Sequence, residues 1–338
     1  MNAICYACDD NYALQVAVSL KSLCENGNLD NDDMVFILGD NLCERSIKYL
    51  QTVSEKSDRK LEFIDTQDVI EEIKNSGLIS NVDNASLSTY VRLFIEKYIP
   101  AIYRNVLYID ADTIILKPIN DMLQFEMDKT AYAVVDIMPE KYKSIINLTE
   151  RYYFNCGILL IDMDKWRNNR CEQRILNHIN SIYCKYLYAD QDVINIVLKD
   201  EIGVLPLKYN VFPFYSELEY DCLCDYMGGG QYYYSKDQYL AAQNSPVIVH
   251  LVYSVEDRPW FEGNLNKYND VWWEYVRRTP WSDFISKKRK LYSRTKIMQY
   301  IYRVFGAKSV IRIQKQLNER AFSKAKSRYE MDGIIDVS

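Results

Sequence analysis

The sequence predicts an α/β fold: a mainly parallel, open, Rossmann-like sheet with helices on both faces. Short apolar runs recur along the first 250 residues, stretches with helical apolar spacing separate several of them, and no clean linker interrupts the alternation before residue 280. Strands alternating with helices are the pattern of such a sheet, whose buried strands read as continuous apolar runs.

In order, the runs are Ala3–Ala7, Met34–Leu38, Leu61–Ile64, Val106–Ile109, Ala131–Val135, Ile158–Ile161 and Val247–Val252. Each is four to six residues long, a length that suits a buried strand and is too short for a helix. Between them, Gln15–Leu23, Glu44–Val53 and Leu87–Lys97 carry helical apolar spacing, and Pro100 ends the third. Gly228-Gly229-Gly230 ahead of Gln231-Tyr232-Tyr233-Tyr234 marks an irregular loop. Those tyrosines and Trp260 are large enough to floor a sugar site, although such residues more often fill cores.

A chain of 338 residues suggests about two domains, or one large domain with an appendage. The expected division is residues 1–280 as the folding unit and residues 281–338 as a basic helical tail. With 48% hydrophobic and 26% charged residues, a disordered, collagen-like or coiled-coil chain is excluded. No apolar run approaches a bilayer span, and the start MNAICYACDDNYA lacks signal-peptide features, so a cytoplasmic protein is expected. Nine widely spaced Cys read as reduced thiols.

Charge is unevenly placed. From Arg277 onward there are 16 Lys+Arg against 5 Asp+Glu, whereas the whole chain has 41 against 47. An acidic body with one basic end argues against a nucleic-acid surface and for an electrostatic tether. In the tail, Ile297, Ile301, Val304 and Ile311 fall near one helical face, Lys296, Arg303, Arg312 and Lys315 fall elsewhere, and Gly306 is expected to break the helix. With Trp272, Trp273 and Trp281 before it, the tail suits peripheral contact with an anionic membrane on the inner face of the cell membrane.

The most informative stretch is Val106-Leu107-Tyr108-Ile109-Asp110-Ala111-Asp112. Two carboxylates two residues apart at the end of a buried strand share one face, an arrangement that is costly unless a cation neutralises it. Carboxylate oxygens suit a hard divalent ion that keeps positions open for phosphate, and open α/β sheets bind ligands beyond the carboxyl ends of their strands. The plain alternative is a solvated loop that happens to begin with two Asp. His250 ends the apolar run Val247-Ile248-Val249, and imidazole beside two carboxylates is more typical of a transition ion. His178, the only other His, reads as ordinary helix filler.

Asp110-Ala111-Asp112 resembles the metal-binding triplet of nucleotide-sugar glycosyltransferases with a GT-A fold. The segments Ala7-Cys8-Asp9-Asp10-Asn11-Tyr12, Ser88-Thr89-Tyr90-Val91-Arg92-Leu93, Phe154-Asn155-Cys156-Gly157-Ile158-Leu159-Leu160, Asp190-Gln191-Asp192, and His250 ahead of Pro259-Trp260 are similar in order and spacing to glycosyltransferase family 8. That family includes bacterial lipopolysaccharide α-galactosyl and α-glucosyltransferases. The resemblance covers roughly residues 1 to 265.

It implies a retaining, metal-dependent transfer of a hexose from UDP-glucose or UDP-galactose to a cell-surface glycan or lipid-linked acceptor, with Mn2+, or alternatively Mg2+, as cofactor. By the same likeness Asp110, Asp112 and His250 would hold the metal, while Ala7, Asp9 and Asn11 would hold uridine. Arg92, Ala111, Asp136, Asn155 and Cys156 would line the donor site, and Asp190 and Gln191 would lie near the anomeric carbon. Gln191 is not a carboxylate, which favours same-face substitution over a covalent enzyme intermediate. Donor hydrolysis is expected to survive removal of residues 285–338.

The sequence departs from the family pattern after His250: Tyr253 replaces a Gly, and two extra residues precede Arg258, which would stand in for the diphosphate-binding Lys. Simpler roles exist for several of these residues: an Asx turn at Asp9, a surface salt bridge at Arg92, a helix cap at Asp190. Two other functions also fit parts of the sequence. Ile109-Asp110-Ala111-Asp112-Thr113 resembles the nucleophile strand of haloacid-dehalogenase phosphatases, and the altered loop is compatible with a catalytically silent nucleotide-sugar-binding module.

Overall fold

Strand β1 (Asn2–Asp9) lies at the heart of a seven-stranded sheet, its apolar residues 3–8 buried. The computed structural model describes residues 1–75, 87–181, 186–229 and 232–331, which leaves Cys184, Gly230 and Gln231 outside the described residues. The sheet runs β3-β2-β1-β4-β7-β6-β8, with β2 (Met34–Asp40), β3 (Leu61–Asp65), β4 (Asn105–Ile109), β6 (Ala131–Val135), β7 (Phe154–Asp162) and β8 (Ile202–Val204). All neighbours pair in parallel except β7, which runs antiparallel to both β4 and β6. The seven predicted runs all lie in or across strands, and the fold class is the expected α/β.

A second, two-stranded sheet positions the site. Strand β5 (Thr113–Ile115) follows the acidic triplet directly and pairs antiparallel with β9 (Ile248–His250), in a register that sets His250 opposite Thr113. The Leu251 amide donates to the Asp112 carbonyl at 2.7 Å, which extends the pairing to the acidic turn. The other side of β5 is satisfied by the helix Ala13–Asn26. Ser22 Oγ accepts from the Ile115 amide at 2.9 Å, Asn26 Nδ2 donates to the Ile115 carbonyl at 2.8 Å, and Ser19 Oγ meets Thr113 Oγ1 at 2.7 Å. Buried polar groups on an otherwise apolar helix are thereby paired, as burial requires.

The predicted helix Leu87–Lys97 is instead a 3-10 segment, Leu87–Phe94, with a short α-helical end, Ile95–Tyr98. Within it the Thr89 carbonyl, which an α-helix would offer to residue 93, accepts from Arg92 Nε at 3.0 Å.

The tail departs from a simple amphipathic stripe. The helix Ser293–Met331 bends at Gly306, where φ is 73° and ψ is 179°. Beyond the bend, Ala307, Val310, Ile311, Phe322, Ala325 and Tyr329 join the same core as the strands, whereas Ile297 and Val304 before it are 59% and 52% exposed. The tryptophans are structural: Trp272 is buried, Trp273 Nε1 donates to the Pro259 carbonyl at 3.1 Å, and Trp281 packs edge-on to Tyr49. Among the described residues no helix is long and apolar enough to cross a membrane, and eight cysteines are free thiols.

Candidate active site

The acidic pair sits in the turn between β4 and β5, and both carboxylates turn toward one imidazole. His250 Nε2 lies 3.1 Å from Asp112 Oδ1 and 3.6 Å from Asp110 Oδ2. Asp110, Asp112 and His250 each offer one ligand atom, all within 4.8 Å of one another.

A chain of hydrogen bonds fixes the imidazole. The Gly157 amide, an unambiguous donor, bonds Asn155 Oδ1 at 3.1 Å, so that atom is the oxygen. Asn210 therefore presents its Nδ2 to Asn155 Oδ1 at 2.9 Å and its Oδ1 to His250 Nδ1 at 3.0 Å. His250 Nδ1 then carries a proton, which leaves Nε2 as the ring nitrogen that faces the carboxylates and would ligate an ion there. This is how buried partners orient a metal-ligating His. Two carboxylate oxygens and one imidazole nitrogen suit a divalent transition ion, so the residues present fit the metal that the acidic triplet implies.

Arg92 is 5% exposed, which excludes the surface salt bridge. Its Nη2 donates to Asp110 Oδ1 at 2.7 Å, its Nε lies 2.9 Å from Asp190 Oδ2, and its Nη1 donates to the Cys156 carbonyl at 2.6 Å. One guanidinium thus ties β4, β7 and the start of the helix Ala189–Val197 together. On the other side, Arg258 Nη2 donates to Asp112 Oδ2 at 3.1 Å and Nη1 approaches the Tyr12 hydroxyl at 3.4 Å.

Electrostatics follow from this layout. Burial alone would raise the Asp112 carboxyl, but the facing His250 and Arg258 outweigh it and hold it below its ordinary value. Burial lowers the affinity of His250 for a proton, yet Asp112 and Asp110 raise it above an ordinary His. Asp190 is pushed up to about 6, chiefly by burial, against the pull of Arg92. Burial likewise raises Asp136, although Asn155, the Ile137 amide and Gln191 all donate to it.

Two adjoining chambers meet at the acidic pair. One, of about 400 Å3, is lined by Ala7, Tyr12, Ala111, Asp110, Asp112, Arg92 and Arg258 among others. The second, of about 320 Å3, adds Asp136, Asn155, Gln191, Tyr215, His250 and Tyr253. Gln191 is held at both ends, its Oε1 accepting from the Cys156 amide at 3.2 Å and its Nε2 donating to Asp136 Oδ2 at 3.0 Å. A register shift in β6 at Ala133/Val134 accompanies the pairing of Val134 with Asn155, next to this chamber.

The remaining sequence-derived candidates fall on the turn after β1 and in the core. Asp9 Oδ1 accepts from the Tyr12 amide at 3.1 Å, so the Asx-type cap is formed, and Asn11 is exposed on the same short turn. Tyr232 and Tyr234 are buried and donate to the Val135 and Leu205 carbonyls, each at 2.6 Å, and Trp260 is buried against Trp272. The aromatic platform is therefore core, and only Tyr233 of the three tyrosines is exposed. Asn210 was not legible: it lies in a loop without a motif, and only the fold brings it to His250.

A family model described as glycosyl transferase family 8 matches residues 3–263. The lipopolysaccharide 1,2-glucosyltransferase of Escherichia coli is 25% identical over 295 residues, which cover 84% of this chain and 80% of that protein. General stress protein A of Bacillus subtilis is 24% identical over 280 residues, 81% of this chain and 92% of its own. Among solved structures, the galactosyltransferase LgtC in complex with donor and acceptor sugar analogs aligns with a TM-score of 0.68 at 22% identity, over 87% of this chain and 99% of that one. GlyE of Streptococcus pneumoniae aligns with a TM-score of 0.57 at 20% identity, over 83% and 61%. These structures share the GT-A fold with the present chain. Arg92 and the Tyr108 hydroxyl both donate to Asp110 Oδ1, and the family match, not the state of that carboxylate, sets the phosphatase alternative aside. With its family match running from β1 through β9, the chain belongs to glycosyl transferase family 8.

Proposed function

We propose that the protein is a retaining hexosyltransferase that uses UDP-glucose or UDP-galactose and a divalent ion, Mn2+ before Mg2+, to glycosylate a cell-surface glycan or lipid-linked acceptor. The observation that carries this reading is the convergence of Asp110, Asp112 and the oriented Nε2 of His250 where two chambers meet. When bound, the ion supplies Lewis-acid stabilisation of the charge that develops on the departing diphosphate.

The chain's own residues do the rest. Asp110, Asp112 and His250 hold the ion, and Arg258 faces the diphosphate with its fixed positive charge. Ala7, Asp9 and Asn11 border the nucleoside, with Ala111 and Cys156 beneath the donor. Arg92 keeps Asp110 and Asp190 in place from below. Asp136, Asn155 and Gln191 form a hydrogen-bonded polar wall, with Asp190 held beside it by Arg92 and Thr89, that orients sugar hydroxyls and faces an oxocarbenium-like transition state. Gln191, bonded at both ends, is a poor nucleophile, which supports same-face substitution.

The acceptor side of the proposal includes a peripheral, cytoplasmic placement. Ile285, Tyr292, Ile297, Tyr300, Val304 and Phe305 are all more than half exposed, and Lys288, Lys290, Arg294, Lys296 and Arg303 stand exposed among them. Apolar and aromatic groups ringed by cations suit an anionic lipid surface. Lys288, Lys290 and Lys296 changed to Glu should abolish binding to phosphatidylserine vesicles while UDP release in solution continues; unchanged vesicle binding would remove the membrane contact.

The central test is a donor panel that scores UDP formed with Mn2+ and again in excess chelator. UDP release that chelator stops is expected. Activity indifferent to chelator would overturn the metal assignment, and saturable UDP-sugar binding without turnover would establish a silent binding module instead.

A further inference from the structure

We infer that Arg289 and Tyr302 are positioning residues for Arg258, so that the basic tail is a working brace of the nucleotide site. The inference rests on the proposed role of Arg258 at the diphosphate.

The loop from Tyr253 to Arg258 is where the chain departs from its family, and it contains two acidic residues that are nearly inaccessible: Glu256 is 0% and Asp257 2% exposed. Asp257 also holds a left-handed backbone, φ 61°, sparsely populated for a residue with a side chain and retained only where its surroundings over-determine it. Those surroundings come from beyond residue 263, where the family match ends.

Arg289 Nη1 donates to Asp257 Oδ1 at 3.1 Å, and its guanidinium stacks over Tyr253 and Phe261 at 4.9 and 5.1 Å. The same Asp257 Oδ1 accepts from the Arg258 amide at 2.9 Å. A single carboxylate oxygen thus joins the tail to the backbone of Arg258. Two residues away, Lys287 exchanges backbone hydrogen bonds with the segment after Arg258: its amide donates to the Trp260 carbonyl at 2.8 Å and its carbonyl accepts from the Glu262 amide at 3.1 Å.

The second fastening is Tyr302. Its hydroxyl lies 2.9 Å from Glu256 Oε1 and 2.5 Å from Glu217 Oε2. One hydroxyl proton cannot serve two carboxylates. Burial and the adjacent Glu217 keep the proton on Glu256, so a proton is available for each contact. The two fastenings flank the loop, and Arg258 leaves it to reach Asp112.

The test is a double-mutant cycle in the full chain, read as the affinity for UDP in the presence of Mn2+ by calorimetry, beside hydrogen exchange of the loop in the free protein. Arg258→Gln should weaken UDP about tenfold, and Arg289→Met about fivefold, within the range for residues acting through a shared contact. In the Arg258→Gln background, Arg289→Met should add less than about twofold, because the group it positions is already gone. Arg289→Lys should restore part of the affinity, and Tyr302→Phe should behave as Arg289→Met does. Exchange at the Arg258 amide should quicken in both tail variants by more than their fall in melting temperature accounts for, since Arg289 is one-third exposed but the Asp257 and Glu256 carboxyls it and Tyr302 hold are buried.

Equal weakening by Arg289→Met in both backgrounds, or unchanged exchange at Arg258, would overturn the positioning role. Faster exchange in a protein that binds no UDP would instead overturn the nucleotide reading and leave the brace standing.

Discussion

Replacing Gly157 by Ala probes the proposed metal centre from a buried position behind His250 and Asp110. Gly157 lies in β7 beneath the site, and a methyl group there would stand 2.2 Å from His250 Cε1 and 2.7 Å from both His250 Nδ1 and Asp110 Oδ2. For ordinary contact to begin, at 3.4 Å, the imidazole carbon must recede by at least 1.2 Å. The ring has little room to do so, because Asn210 holds Nδ1 and Phe212 packs beside it at 5.8 Å between ring centres. Overpacking of a filled interior costs about 1–3 kcal/mol, and disturbing the support of a metal ligand costs about 10–100-fold in affinity. Gly157→Ala is therefore expected to bind Mn2+ at least about tenfold more weakly, with a fall in melting temperature of only a few degrees. Titration of the free ion by electron paramagnetic resonance, in protein without nucleotide, measures the first quantity. Mn2+ held by Gly157→Ala as tightly as by the wild type would refute the placement of the ion between His250 and Asp110.

Asp112→Asn should lose nearly all metal-dependent UDP release, measured at saturating donor. Asn210→Ala leaves His250 Nδ1 without its acceptor and should weaken Mn2+ about 10–100-fold, by the same reasoning as above; wild-type affinity would show that the tautomer is set otherwise. Asp192, fully buried beneath the site, accepts from the Tyr142 and Tyr153 hydroxyls at 2.6 Å each, yet burial pushes it from 3.8 up to about 6. Because its folded-state value lies above the unfolded one, it stabilises most below about pH 4, and that contribution is lost as pH rises through about 6. The interval is worth about 3 kcal/mol, so Asp192→Asn should flatten the decline in melting temperature between pH 4 and pH 7; parallel profiles would contradict the argument. Ending the chain at Gly306 removes Val310, Ile311, Phe322 and Tyr329 from the core and should cost more than about 5 kcal/mol, seen as a drop of ten degrees or more in melting temperature. A truncated chain as stable as the whole would restore the sequence-based expectation that the tail is dispensable.

The sequence was legible wherever chemistry and periodicity coincide. Strands β1, β2 and β4 announce themselves because both faces are covered and their residues are apolar apart from polar ones at the ends, and the acidic pair is conspicuous because it follows such a run. Strands β5 and β8 were hidden because three residues carry no periodicity, and β5 draws its hydrogen bonds on one side from Ser22 and Asn26 of a helix. Of the site, the two Asp and His250 could be named from residue type, whereas Asn210, which decides the tautomer of that His, could not. The tail misled for a related reason. Ile297, Ile301, Val304 and Ile311 do share a helical spacing, but the left-handed Gly306 rotates the helix between them, so Ile311 enters the core while Ile297 and Val304 face outward.

Charge balance binds these features into one argument. Around the proposed ion stand the carboxylates of Asp110, Asp112 and Asp190, opposed by the guanidinium groups of Arg92 and Arg258. Three negative charges against two positive leave one in excess, and a divalent ion reverses that sign to an excess of one positive charge. A UDP-sugar, whose diphosphate carries about two negative charges at neutral pH, then returns the centre to its starting balance. Without the ion the same donor would bring the excess to three negative charges, so the ion lowers the electrostatic cost of placing the diphosphate. Each should therefore tighten the other by the same factor, as linkage requires. On the proposed reading Arg258 is the hinge of that exchange: its Nη2, now on Asp112, would be shared with the arriving phosphate oxygens, which would make the loop that carries it, and the tail that braces the loop, part of the nucleotide site.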